Sequence, residues 1–170
     1  MTVFELIGDL GISFGKDVFQ KHLQKIYLSY LENTAAGVRN MGVEKSIELA
    51  KQFKSDWVVT EFIPAVMKTY NTEKKGYNYR ITCLQSLSSV LPYLQKDQIS
   101  KQIIPLFAKA LNDDIPNVRF TVCQILVKQN QQIDQSTYNK NLVPILQDLL
   151  NDDDMDVRFF SQQALKVSAW

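Results

Sequence analysis

Few side chains in this 170-residue sequence are of the kinds that carry out covalent chemistry. His22 is the single histidine. General acid–base work would need a partner to tune and orient it, and its neighbours Phe19, Leu23 and Ile26 offer none. A partly buried or surface histidine is the expectation. Cys83 and Cys123, the two cysteines, lie on the apolar sides of helical patterns, where a thiol serves as a small hydrophobe. One histidine and two cysteines are too few for a zinc site and give no disulfide framework. Asp152-x-Asp154-x-Asp156 copies the opening of a calcium loop, but Val157 stands where that loop needs glycine and Gln163 where it needs glutamate. Gly8, Gly11 and Gly15 lack the strand and the Gly-Lys-Ser/Thr of a phosphate loop. No nucleophile triad, cleft carboxylate pair or cofactor fingerprint assembles. The expectation is a non-catalytic protein with no cofactor and no metal.

One set of charged residues does recur in order. Arg39, Arg80, Arg119 and Arg158 are separated by 41, 39 and 39 residues, and each follows Val or Tyr. Six positions before three of them stand Asn33, Asp113 and Asp152, while Lys74 breaks the rule before Arg80. Stacked repeats bring equivalent positions side by side, so an Asp of one unit can accept a charge-assisted hydrogen bond from the Arg of its neighbour. A structural ladder of Asn33, Arg39, Arg80, Asp113, Arg119, Asp152 and Arg158 is therefore expected. Direct contact of the arginines with a partner is the alternative.

The elements that hold these residues follow the same period. Pro64, Pro105 and Pro144 sit in matching apolar contexts, 41 and 39 residues apart. Two marks in one phase near forty residues are the signature of a helical repeat array of the HEAT or armadillo kind. The fold class expected is all-α: an α-solenoid of about four HEAT repeats, stacked antiparallel helix pairs, plus part of a preceding helix. Residues 1–170 form a single array, with a remnant at 3–15 and repeats at 16–53, 55–94, 97–133 and 136–170. In the last repeat, Leu142, Ile145, Leu146, Leu149 and Leu150 form an amphipathic stripe over residues 138–150, with Ser136 or Thr137 as its cap. The Asn151–Asp154 loop caps the next helix, which turns Val157, Phe160, Ala164, Leu165 and Val167 inward. Pro116 falls where a first-turn proline is tolerated. The mid-helix prolines should bend the first helices of repeats two to four; Lys25 takes that position in the first repeat, whose helix should be straighter. Trp57 reads as a packing residue and Trp170 as a terminal anchor. No strand pattern is present.

Nineteen Lys and Arg against eighteen Asp and Glu leave a net charge of +1. Such a balance supplies no counterion release for nucleic acid and no hold on an acidic membrane. The apolar runs fall short of a membrane span, and Met1–Glu5 lacks the basic start of a secretory signal. A cytoplasmic location is expected, with the nucleus or a cilium or cytoskeleton as further possibilities, and no small-molecule substrate. Repeat scaffolds work by binding proteins. The within-pair loops supply the candidate contacts: Tyr77, Asn78 and Tyr79; then Asn112, Asp113, Asp114, Ile115, Pro116 and Asn117; then Asn151, Asp152, Asp153, Asp154 and Met155. Acidic groups beside apolar anchors suit a protein interface. Solvated helix caps are the alternative.

The runs Asp113-Asp114-Ile115-Pro116-Asn117-Val118-Arg119-Phe120, Leu142-Val143-Pro144-Ile145-Leu146 and Asp154-Met155-Asp156-Val157-Arg158-Phe159-Phe160-Ser161 resemble the C-terminal HEAT repeats of the protein phosphatase 2A scaffold (A) subunit. The likeness extends back through Phe53-Lys54-Ser55-Asp56-Trp57 and more weakly to about Leu10. It implies that the three loops grip a phosphatase catalytic subunit. Departures are the insertion Thr72-Glu73-Lys74-Lys75-Gly76 and the start at Met1 within the array, without the repeats that would hold a regulatory subunit. The competing expectation is a structural component of a larger assembly, ciliary, axonemal or cytoskeletal, whose neighbouring subunits are the partners and which binds no phosphatase.

Overall fold

The computed structural model describes residues 3–72 and 76–167, and every regular element among them is helical. They fall into two compact units, Met1–Tyr93 and Leu94–Trp170. Lys74 and Trp170 lie outside the described residues.

In the first unit, α1 (Val3–Phe14) is followed by α2 (Lys16–Val18), a π-helical turn Phe19–Leu23 and α3 (Gln24–Leu31), which together make one first helix. A short loop turns the chain into α4 (Ala36–Trp57). Inside α4 the backbone leaves the helical region at Lys54 (φ 65°, ψ −177°), so one pair ends there and the next begins. A second π turn, Val58–Phe62, leads to α5 (Ile63–Tyr70), and α6 (Tyr77–Val90) completes the second pair. Gly15, 39 residues before Lys54, makes the same single-residue joint with φ 87° and ψ 169°. This region is essentially reserved for glycine and costs other residues about 1–3 kcal/mol. Lys54 therefore holds a strained joint that Gly15 makes freely.

The core here is aromatic. Phe19, Tyr27, Phe53, Trp57 and Phe62 are buried, with neighbouring ring centroids 5.3 to 6.4 Å apart. Trp57 is a packing residue, and its indole N–H still needs an acceptor in the interior. It donates to Gln24 Oε1 at 3.0 Å, and Gln24 Nε2 donates onward to Glu61 Oε2 at 3.0 Å.

The expectation of a straighter first helix in the first repeat is not met. The turn Phe19–Leu23 is π-helical and Leu23 sits at φ −114°, without any proline. The two proline-bearing helices of the second unit distort at the same register, at Ile103 (φ −105°) and Leu142 (φ −112°). Each proline then takes the second position of the helix that restarts, where an N–H would lack a partner anyway. The break is a feature of the repeat, and proline is accepted there more than it causes it.

In the second unit, α7 (Lys96–Gln102) and α8 (Ile104–Leu111) form the first helix of a pair closed by α9 (Pro116–Gln129). α10 (Gln135–Asn141), α11 (Val143–Asp148) and the 3₁₀ turn Leu149–Asn151 form the next, closed by α12 (Met155–Val167). α12 packs along α9. Buried Leu106, Phe107, Val118, Val122, Cys123, Leu126, Leu142, Leu146 and Val157 fill the space between them. Cys83 in the first unit and Cys123 here are both buried, and burial pushes the Cys123 thiol up to about 12. Two local readings change. The cap of α10 is Asp134, which accepts from the Thr137 amide at 2.9 Å, not Ser136 or Thr137. A carboxylate can reach the third amide of the helix from one residue outside it. Leu150 is 39% exposed because the 3₁₀ turn winds faster than the α stripe and carries it off the face.

Candidate protein-binding loops

Three within-pair loops are built alike. The residue six before each arginine closes its own loop: Asn33 Oδ1 accepts from the Ala35 amide at 2.9 Å, Asp113 Oδ1 from Ile115 at 3.0 Å, and Asp152 Oδ1 from Asp154 at 2.9 Å. These are Asx turns, in which the side chain mimics a backbone turn. The arginine, one turn into the following helix, then reaches back to the same loop. Arg39 Nη1 donates to the carbonyls of Asn33 and Thr34 at 2.9 Å each. Arg119 Nη1 donates to those of Asp113 and Asp114 at 2.7 and 3.2 Å. Arg158 Nη1 donates to those of Asp152 and Asp153 at 2.6 and 3.0 Å. Two carbonyls of each loop, which have no helical partner of their own, are thus satisfied by a cation.

The other edge of two of these guanidinia, Arg39 and Arg119, faces the next pair. Within the second unit Arg119 Nε and Nη2 donate to Asp152 Oδ2 and Oδ1, both at 2.8 Å, in a bidentate fork. Within the first unit Arg39 is buried and its Nε donates to Thr82 Oγ1 at 3.0 Å. Its guanidinium also lies 5.3 Å from the centre of the Tyr79 ring, a cation–π distance. A hydroxyl and an aromatic face thus take the place of a carboxylate there. Arg80 is half-buried on α6.

Charge in the second unit follows this wiring. Burial works to raise the Asp152 carboxyl, but the bonds from Arg119 and the Asp154 amide outweigh it and hold the group below its usual range. Arg119 is pushed further up, first by its bond to Asp152, with burial opposing. Asp154 Oδ1 accepts from the Asp156 and Val157 amides at 2.9 and 3.0 Å and so caps α12.

Of the candidate contact residues, Tyr77 and Asn78 are exposed on the first unit and Tyr79 is half-buried under Arg39. In the second unit Asn112, Asp114, Asn117, Asn151, Asp153 and Met155 are exposed, and Met155 reaches 71%. Asp113, Ile115, Pro116, Asp152 and Asp154 are half-buried, with the three carboxylates engaged in loop closure. The loops therefore divide into an inner set that builds them and an outer set free to touch a partner. Sequence reasoning missed the backbone clamp of the arginines, although the six-residue offset was its visible sign. Thr82 as the acceptor for Arg39 had no such sign. His22 is exposed. Among the described residues no group of three or more His, Cys, Asp and Glu is placed to hold a metal ion, and no helix is long and apolar enough to cross a membrane.

The family model of the HEAT repeat matches residues 103–128, which are α8, its loop and nearly all of α9. Residues 103–128 are a HEAT repeat. The chain is similar to the regulatory (A) subunit of protein phosphatase PP2A from Saccharomyces cerevisiae, with 28% identity over 93 residues, 51% of this chain and 15% of that protein. The Schizosaccharomyces pombe protein of the same name is 41% identical over 49 residues, 29% of this chain and 8% of its own. The chain thus matches well under a quarter of either relative's length. Among solved structures, the fold is shared with Cex1p at a TM-score of 0.76 and 14% identity, over 98% of this chain and 32% of that one. An engineered protein matches at 0.55 and 14% identity, over 98% of this chain and 71% of its own.

Proposed function

We propose that this HEAT-repeat chain is a non-catalytic scaffold and that the exposed residues of its within-pair loops bind a phosphatase catalytic subunit. The observation that carries the reading is the rung between Arg119 and Asp152. It ties the loop at 112–117 to the loop at 151–155, so that Asp114, Asp153 and Met155 are offered from a pre-ordered backbone. Binding then costs little ordering entropy. The similarity to the regulatory (A) subunit of the phosphatase supplies the partner class, and the mixed acidic and apolar surface suits a protein more than a nucleic acid or membrane. Tyr77 and Asn78 on the first unit are proposed as further contacts, and the cytoplasm is the proposed location.

The test is surface plasmon resonance with immobilised chain and purified phosphatase 2A catalytic subunit. Asp114→Lys, Asp153→Lys and Met155→Asp together should weaken binding at least tenfold with circular dichroism unchanged, since all three side chains are exposed. Undetectable binding by the parent chain would sink the proposal, as would full binding by the triple variant. Recovery of the chain from cells within a filamentous assembly that lacks phosphatase would favour a structural role instead.

A further inference from the structure

Three first helices carry one motif at their break: Phe62-Ile63-Pro64-Ala65, Ile103-Ile104-Pro105-Leu106 and Leu142-Val143-Pro144-Ile145. The first helix of the first pair breaks at the same register but reads Leu23-Gln24-Lys25-Ile26. Gln24 and Lys25 thus stand where later pairs place an aliphatic residue and proline, and Ala65 stands where the second unit places Leu106 and Ile145. All three departures line one groove between α3 and α5, inside the first unit, of about 640 Å³.

Two side-chain bonds across this groove set its register. Gln24 Nε2 donates to Glu61 Oε2 at 3.0 Å, and Thr69 Oγ1 donates to Glu32 Oε1 at 2.6 Å. Both join residues 37 apart, so α3 and α5 run side by side and parallel. Ala65 is then level with Leu28, and both are half-buried in the groove lining. Lys25 stands about one turn before that level on one wall, and Lys68 about one turn beyond it on the other. The lysines are therefore about 9 Å apart along the groove. Both are exposed, and among the described residues neither is in an ion pair. A solvated helix face accounts for the lysines but not for Ala65, since Leu106 at the matching place is 2% exposed.

We infer that the groove receives an acidic amphipathic helix of a partner protein. Its apolar stripe sits on Leu28 and Ala65, and a carboxylate on each flank meets Lys25 and Lys68. Two parallel helical walls form a trough of the kind that takes a helix as ligand. From Gln20 to Glu32 the trough is about 18 Å long, the length of about three helical turns. Lysine is a mobile point charge on a long stem, suited to carboxylates on a helix flank. The groove contains none of the loop residues proposed above to bind a phosphatase, and the inference requires no phosphatase.

The test uses the full chain and one probe, a helical peptide of about four turns with a leucine stripe flanked by glutamates. Trp57 reports on the groove, because its indole N–H is bonded to Gln24 Oε1. Saturable NMR shifts of that N–H and of the Lys25 and Lys68 Cε resonances are expected as the peptide is raised to millimolar concentration. Glutamines in place of the probe's glutamates should weaken binding about tenfold or more. Lys25→Glu with Lys68→Glu should do the same with circular dichroism unchanged, since both side chains are exposed. Ala65→Leu, the residue type of the next pair, should abolish binding by filling the groove. No saturable shift at millimolar peptide overturns the inference, as does binding indifferent to the glutamates. Equal capture of phosphatidylserine vesicles through the same lysines also overturns it, because the occupant would then be a lipid surface.

Discussion

Removing Arg119 should unfasten the second unit, and the cost can be worked from the geometry. Its side chain is 14% exposed and that of Asp152 only 6%. Taking one partner from a pair this buried typically costs about 3–5 kcal/mol, because the other charge is left without compensation. Asp152 keeps its bond from the Asp154 amide, which favours the lower end. Arg119→Ala also frees the carbonyls of Asp113 and Asp114, each worth about 1 kcal/mol. The expected loss is about 5 kcal/mol. Asp152→Asn keeps the loop-closing oxygen but removes the charge and the Oδ2 acceptor of Arg119 Nε, for an expected loss of about 2 kcal/mol. The double variant should lose less than the sum, with a coupling of about 2 kcal/mol.

Urea unfolding followed by circular dichroism measures these values, and amide exchange in α9 and α12 places the loss in the second unit. The pH dependence has a definite sign. The folded-state Asp152 carboxyl is held below its usual range, so the rung contributes its full stability above the unfolded value of about 4. That contribution disappears as pH falls through the lower folded value. The penalty of Arg119→Ala should thus be constant from about pH 5 to pH 8 and shrink in stronger acid. A coupling under about 0.5 kcal/mol, or a penalty that grows on acidification, would refute the assignment of the rung.

Other expectations are quicker to check. Lys54→Gly relieves a backbone conformation reserved for glycine and should stabilise the first unit by about 1 kcal/mol, read as a higher Tm; Gly15→Ala, at the equivalent joint, should lower it by at least as much. Tyr27→Phe removes the hydroxyl that contacts Ser46 Oγ at 2.7 Å and donates to the Gly42 carbonyl at 3.1 Å, and should cost about 1–2 kcal/mol in urea unfolding. Cys123, buried and raised to about 12, should resist thiol reagents at pH 8 in the native protein and react at once in urea.

Much of the fold was legible because a repeat states its instructions several times. The recurring arginines and prolines each announced the period, and the apolar stripes at Leu142, Leu146 and Leu149 or Val118, Val122 and Leu126 follow from helical spacing alone. What escaped was decided by backbone geometry that several residue types can adopt. Leu23 breaks its helix without a proline, and Lys54 makes a joint that Gly15 makes by type. The candidate site divides the same way. An Asx residue six before an arginine was visible as a pairing, but Asn33, Asp113 and Asp152 can each close their own loop, and the reach of Nη1 to two carbonyls leaves no trace in residue type.

By itself, then, the sequence determined the class of object: helix pairs at a period near forty, near-neutral, with side chains suited to packing and capping. Local periodicity and composition suffice for that because they act within a few residues of the chain. Tertiary structure alone decided which partner each arginine took. Arg119 found a carboxylate, and Arg39 a hydroxyl and an aromatic face. The choice depends on what a neighbouring pair, some 33 to 43 residues away, places within a few ångströms of the guanidinium.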